Sequence, residues 1–185
     1  MARCYNVFMP RRHPSLPDLW LMSDARNDAR LEAILRRLPR GSGLIFRHYH
    51  LDEAKRRARF DALARIARQY GHVVVLAETL KEARRWGADG VYGRPGSLAG
   101  GVGLLRLATA HSLRAIGAAR RIGADAVLLS PVFATRSHPG APTLGPVRFR
   151  LLARWADMPV IALGGMNRQR ARHLGWKKWA AIDGA

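Results

Sequence analysis

The chain has 185 residues, a single cysteine and a formal net charge of +19, from 32 Lys and Arg against 13 Asp and Glu. That length suits one domain over residues 1–185, with 1–17 as an N-terminal extension, and the lone Cys4 excludes both a disulfide framework and a multi-cysteine zinc site. No apolar run reaches the ~20 residues of a membrane helix and the opening lacks a secretory core, so a cytoplasmic address is expected; the charge is Arg at helical spacing without aromatic stacking motifs, so neither a membrane nor a nucleic-acid partner is expected.

Short apolar runs alternate with amphipathic Ala/Leu/Arg stretches. Leu19–Asp24 reads as a first strand, with a helix over Asp28–Leu38. Leu44–Tyr49 is a second strand, and Asp52 supplies an N-cap for a helix running to Tyr70. His72–Glu78 is the third strand, followed by a helix over Thr79–Trp86. Gly90–Arg94 is a short fourth strand, and Arg94–Gly103 is too glycine-rich for a full fourth helix. Leu104–Thr109 is the fifth, with Ser112 capping a helix to Ile122. Ala126–Ser130 is the sixth strand, with a helix over Val147–Ala156. Val160–Leu163 is the seventh, with a helix over Gln169–Leu174. Trp179–Ile182 is the eighth, and an eighth helix is missing.

Eight strands in βα alternation predict a compact (β/α)8 TIM barrel. Its site belongs at the C-terminal ends of the strands. The missing helical cover predicts bare apolar barrel surface, which a homodimer partner or the N-terminal segment would cover.

The most informative stretch is Leu128–Gly145, where an apolar strand opens into a loop holding Thr135, Arg136, Ser137 and His138. Hydroxyls, a cation and an imidazole released at a strand end suit an anion. His138 reads equally as a turn residue before Pro139. The next strand ends in Gly164–Gly165, which suits either close phosphate approach by backbone N–H groups or a tight turn. His111 lies just past the fifth strand, before a Ser-capped helix, and reads as an acid/base group or as a packing or capping residue. His48 and His50 flank Tyr49 and are candidates for a metal pair.

Six motifs in order, Gly87-Ala-Asp-Gly-Val91, Thr109-Ala-His-Ser112, Gly123-Ala-Asp125, Ser130-Pro-Val-Phe-Ala-Thr135, Leu144-Gly145 and Pro159-Val-Ile-Ala-Leu-Gly-Gly-Met166, resemble the thiamine phosphate synthase / TenI superfamily. The Ser137–Gly145 variant is most similar to the synthase-like domain fused behind Nudix hydrolases. The resemblance implies a (β/α)8 barrel that binds a phosphorylated thiazole or thiamine phosphate in thiamine biosynthesis or salvage. Either Mg2+-assisted diphosphate displacement or a metal-independent tautomerisation with histidine proton transfer would follow. It carries substrate binding onto Arg47, Thr109, Thr135, Ser137, His138, Gly164 and Gly165, and catalysis onto His111 and Glu78. Glu78 is also the position for Mg2+; its alternative is a carboxylate paired with a nearby Arg.

The departures are as telling. Of the family's Gln-x-Arg-x-Lys strand only Arg47 remains, between Ile45 and Tyr49, and Ala77–Glu78 replaces Asn-Asp. No acid stands near Arg94–Gly96 for a second metal contact, and Asp183 replaces a phosphate-binding Ser. These losses argue against ordinary Mg2+-diphosphate chemistry. They leave a tautomerase, a non-catalytic phosphate-binding barrel and, further off, a basic polyanion binder as alternatives.

Overall fold

The computed structural model describes residues 16–100, 103–137 and 139–183. Eight strands close a parallel barrel in sequence order, each hydrogen-bonded to the next and β8 back to β1. They are β1 (Leu19–Met22), β2 (Gly43–Phe46), β3 (Val73–Leu76), β4 (Gly90–Gly93), β5 (Leu105–Ala110), β6 (Ala126–Leu129), β7 (Val160–Ala162) and β8 (Trp179–Ala181). The helices are α1 (Leu31–Arg37), α2 (Glu53–Gln69), α3 (Leu80–Trp86), α4 (Leu113–Arg121), α5 (Gly145–Ala153) and α6 (Arg168–Leu174).

Caps set where most helices begin. The side chains of Asp52, Thr79, Ser112 and Asn167 each accept a backbone N–H from the first turn of α2, α3, α4 and α6. Helix α5 starts two residues before its expected start at Val147, because Pro146 suits the first helical position. A 3-10 turn over Asp28–Arg30 leads into α1, so the first helix is shorter than the periodicity suggests.

Strand side chains sort strictly by parity. Trp20, Met22, Ile45, Val75, Leu105, Leu107, Ala126, Leu128, Ile161 and Ala180 fill the barrel interior. Their neighbours, Leu21, Leu44, Phe46, Val74, Leu76, Ala108, Val127 and Leu129 among them, pack outward against the helices. Both faces are buried, which is why the strands read as unbroken apolar runs.

The weak fourth helix is a 3-10 turn, Pro95–Leu98. It still covers the barrel, because Leu98 is fully buried and Leu104 packs in the same cluster. Bare apolar surface lies elsewhere among the described residues: Val147, Leu151 and Trp155 form an i, i+4, i+8 stripe along α5 and the turn after it, 73%, 54% and 71% exposed. No helix of the described residues is long and apolar enough to cross a membrane.

Gly43 stands opposite Trp20 in the β1–β2 register, and a Cβ there would overlap the fully buried indole ring. Gly43→Ala is expected to lower unfolding free energy by about 2–3 kcal/mol in urea titration, as overpacking a filled barrel does.

Candidate functional site

Each strand delivers its interior parity to the mouth of the barrel. Continuing β2 by two and four residues past Ile45 brings Arg47 and Tyr49 to the mouth; β4 contributes Tyr92, and β5 contributes Thr109 and then His111. β6 continues to Ser130, and β7 to Leu163 and Gly165. Together with the loop after β6 and the end of β8, these residues line a cavity of about 930 Å³.

The cavity gathers Arg47, Thr109, His111, Thr135, Ser137, Gly164 and Gly165. His138 lies outside the described residues. Arg26, Asn167 and Arg170 also line the cavity and are not singled out by the motifs. Arg26 sits in the loop two residues past Asp24, and that placement at a strand end is the signal that marks it.

Glu78 is placed elsewhere. The interior residues of β3 are Val73 and Val75, so Ala77 continues inward and Glu78 turns outward toward α2. There it accepts a hydrogen bond from Arg56 Nη1 at 2.6 Å and lines a separate shallow depression with Trp86 and Arg85. Arg56 is itself buried, and its other donors reach the carbonyls of Arg47 and Ala77. The structure therefore puts the expected metal carboxylate in a structural ion pair, on the far side of the strand from the cavity.

The charges at the mouth are largely paired. Arg26 donates from Nε to Asp24 at 2.8 Å and from Nη2 to Ser137 Oγ at 2.8 Å, linking the β1 loop to the β6 loop across the opening. Burial pushes the Asp24 carboxyl up, but hydrogen bonds and charge from Arg26, with Arg47 4.0 Å away, win and hold it below the usual carboxylate range. Arg136 pairs with Asp183 at 3.1 Å, which neutralises the acid that replaces the family's serine. Arg170 lies over the Phe133 ring and donates to the Gly165 carbonyl at 2.5 Å.

His111 Nδ1 lies 2.7 Å from the Ser130 carbonyl, which only accepts. The proton therefore sits on Nδ1, and in the neutral ring the lone pair is on Nε2. The two glycines of β7's end are both in the left-handed region, φ 95° at Gly164 and 60° at Gly165. A Cβ on Gly164 would come within 2.6 Å of Pro131 Cα, and one on Gly165 would overlap the Ala134 carbonyl oxygen. Glycine here lets the β6 and β7 loops close on each other.

Mg2+ takes hard oxygen ligands, chiefly carboxylates and water. Among the described residues the only carboxylate lining this cavity is Asp183, already held by Arg136, while Arg26, Arg47, Arg136 and Arg170 line the same space. This donor set does not fit a divalent cation. Among the described residues the one cluster with metal-ligand geometry is Asp28, His48 and His50, whose ligand atoms lie within 4.8 Å of one another. His48 follows the outward parity of Leu44 and Phe46, so the cluster lies behind Arg47 and not in the cavity.

The family model for thiamine monophosphate synthase matches residues 102–182. The thiamine-phosphate synthase of Bordetella bronchiseptica is 34% identical over 160 residues, covering 77% of this chain and 74% of the relative. The chain belongs to the thiamine phosphate synthase / TenI superfamily. A bifunctional thiamine biosynthesis protein ThiM/ThiE of Symbiobacterium thermophilum is 31% identical over 134 residues; the match covers 62% of this chain and 26% of that longer relative. The thiamine phosphate pyrophosphorylase structure from Pyrococcus furiosus superposes with a TM-score of 0.71 at 21% identity, over 88% of this chain and 84% of that one. All eight strands of a closed barrel are thus present, with a mouth lined by Arg26, Arg47, Arg136 and Arg170.

Tyr92 is the phenol on the cavity floor, and burial pushes its pKa up to about 12, against a lowering by the Arg47 charge. Spectrophotometric titration compared with Tyr92→Phe is expected to show this phenol still un-ionised at pH 11, about a unit above the ordinary tyrosine value.

Proposed function

We propose that this chain binds a phosphorylated thiazole or thiamine phosphate at the barrel mouth, in thiamine biosynthesis or salvage. The observation that carries the reading is the convergence of Arg47, Thr109, Thr135, Ser137, Gly164 and Gly165, from four separate strand ends, on one cavity. Membership of the superfamily supports the ligand class. In this reading the hydroxyls of Thr135 and Ser137 and the backbone of Gly164 and Gly165 hold the phosphate, and Arg26 and Arg47 supply charge. The Ser137–Gly145 loop supports a place nearer the Nudix-fused synthase-like domains than the ordinary synthases.

A second reading, proton transfer of the tautomerase kind, is favoured by His111. Its fixed tautomer leaves Nε2 as a base at the cavity wall, and proton transfer needs no divalent ion. Displacement of diphosphate would ask for metal ligands that the cavity does not offer. A homodimer is proposed as well, with the α5 stripe as its contact; Trp155→Glu is expected to convert it to monomer in sedimentation.

Thermal-shift and calorimetric titrations with thiazole phosphate, thiamine phosphate, inorganic diphosphate and RNA test the first reading. Stabilisation by thiazole phosphate of about 2.7 kcal/mol at 100-fold excess over Kd is expected. Arg47→Ala is expected to weaken binding about 10-fold or more. Salt-sensitive RNA binding with no metabolite effect would overturn it. His111→Ala is expected to abolish thiazole tautomerisation while leaving phosphate binding within a few-fold of wild type.

A further inference from the structure

Behind Arg47 runs a buried polar chain that the site does not use directly. The Arg47 backbone N–H donates to Ser23 Oγ at 2.8 Å. Ser23 Oγ lies 2.8 Å from His48 Nδ1, and His48 Nε2 lies 2.8 Å from Asp28 Oδ1. Ser23 and His48 are 0% and 1% exposed. The direction of every proton follows. The Asp28 carboxylate only accepts, so His48 Nε2 carries the ring proton and donates it there; in the neutral ring Nδ1 is then an acceptor and takes the Ser23 hydroxyl proton, while the Ser23 oxygen receives the Arg47 N–H. That carboxylate is held ionised, since hydrogen bonds from His48 and Arg59 outweigh the burial that would raise it. Arg59 bonds both the side chain and the carbonyl of Asp28 at 2.7 Å and also pairs with Glu32 of α1.

The chain also fixes a backbone reversal. His48 has φ 39°, in the left-handed region that a histidine rarely occupies. Its ring stacks on Phe46 with centroids 4.7 Å apart and planes 2° apart. Ser23 N–H reaches the Ile45 carbonyl at 2.9 Å, so the ends of β1 and β2 are clasped on both sides of the point where Arg47 leaves the sheet.

We propose that Ser23 and His48 are positioning residues, which hold the Arg47 backbone through a one-directional hydrogen-bond chain anchored at Asp28 and so aim its guanidinium at an anion in the cavity. The proposal rests on the reading of Arg47 as an anion ligand. Neutral His48 is required, because a second ring proton would take away the acceptor for Ser23. Burial lowers the His48 pKa, against Asp28, and His50 and Arg59 add to the lowering.

The experiment uses the full chain and inorganic diphosphate as probe, with amide hydrogen exchange at Arg47 as a second measurement. Ser23→Ala and His48→Leu are expected to weaken diphosphate binding about 10-fold and to speed Arg47 amide exchange. His48→Asn places a carbonyl oxygen where Nδ1 stands and tolerates the left-handed backbone, so it is expected to retain binding within about 3-fold. Nitrogen chemical shifts of wild-type His48 at pH 7 are expected to show the neutral ring protonated at Nε2. Unchanged diphosphate binding and exchange in Ser23→Ala would overturn the proposal. So would a rise in melting temperature with Zn2+ that is lost in His50→Ala, since that result assigns the cluster to a metal. Failure of wild type to bind any phosphate probe would instead overturn the ligand reading, while the exchange measurement would still report on the chain.

Discussion

Parity along the strands is the constraint on which the site depends. A closed barrel buries both faces of every strand, so each residue goes either to the interior and the mouth above it or to the layer beneath the helices. No side chain at a strand end serves both. Arg47 and His48 are adjacent in sequence, yet one lines the cavity and the other reaches Asp28 at the start of the α1 layer. Ala77 and Glu78 are divided in the same way, and the carboxylate falls on the helix side.

Electrostatics then completes what parity begins. With far more cations than anions in the chain, the acids are claimed by arginines on both sides of the strands: Asp24 by Arg26 and Asp183 by Arg136 at the mouth, Glu78 by Arg56 and Asp28 by Arg59 in the layer behind it. Carboxylates so engaged are poor candidates for a hard divalent ion, and of these arginines Arg26 and Arg136 line the cavity beside Arg47 and Arg170. The closed barrel of the superfamily is retained, with arginines rather than free carboxylates among the described residues of its mouth.

Much of this is legible in the sequence, and the failures have physical causes. The eight strands stand out because two buried faces make unbroken apolar runs, and Asp52 and Ser112 mark helix starts by their capping oxygens. The residues carried by the motif loops, Thr135, Ser137, Gly164 and Gly165, meet at the cavity because every such loop leaves the same end of the barrel. Glu78 is misplaced by motif matching alone, although counting inward residues from Val73 would have turned it outward. Arg26 is marked only by its place in the loop after β1, and nothing local distinguishes Arg170 from the many arginines of solvated helix faces. The fourth helix reads as too weak from its glycines, and there one turn bearing Leu98 does the covering that a whole helix does elsewhere.

The bond from Arg26 to Ser137 joins two residues 111 positions apart and crosses the opening of the barrel. An anion arriving at Ser137 meets a guanidinium that already holds a hydroxyl and a carboxylate. Binding there would exchange one oxygen partner of Arg26 for another, since its Nε and Nη2 are both already engaged. The same donor ties the first and sixth βα units together across the mouth.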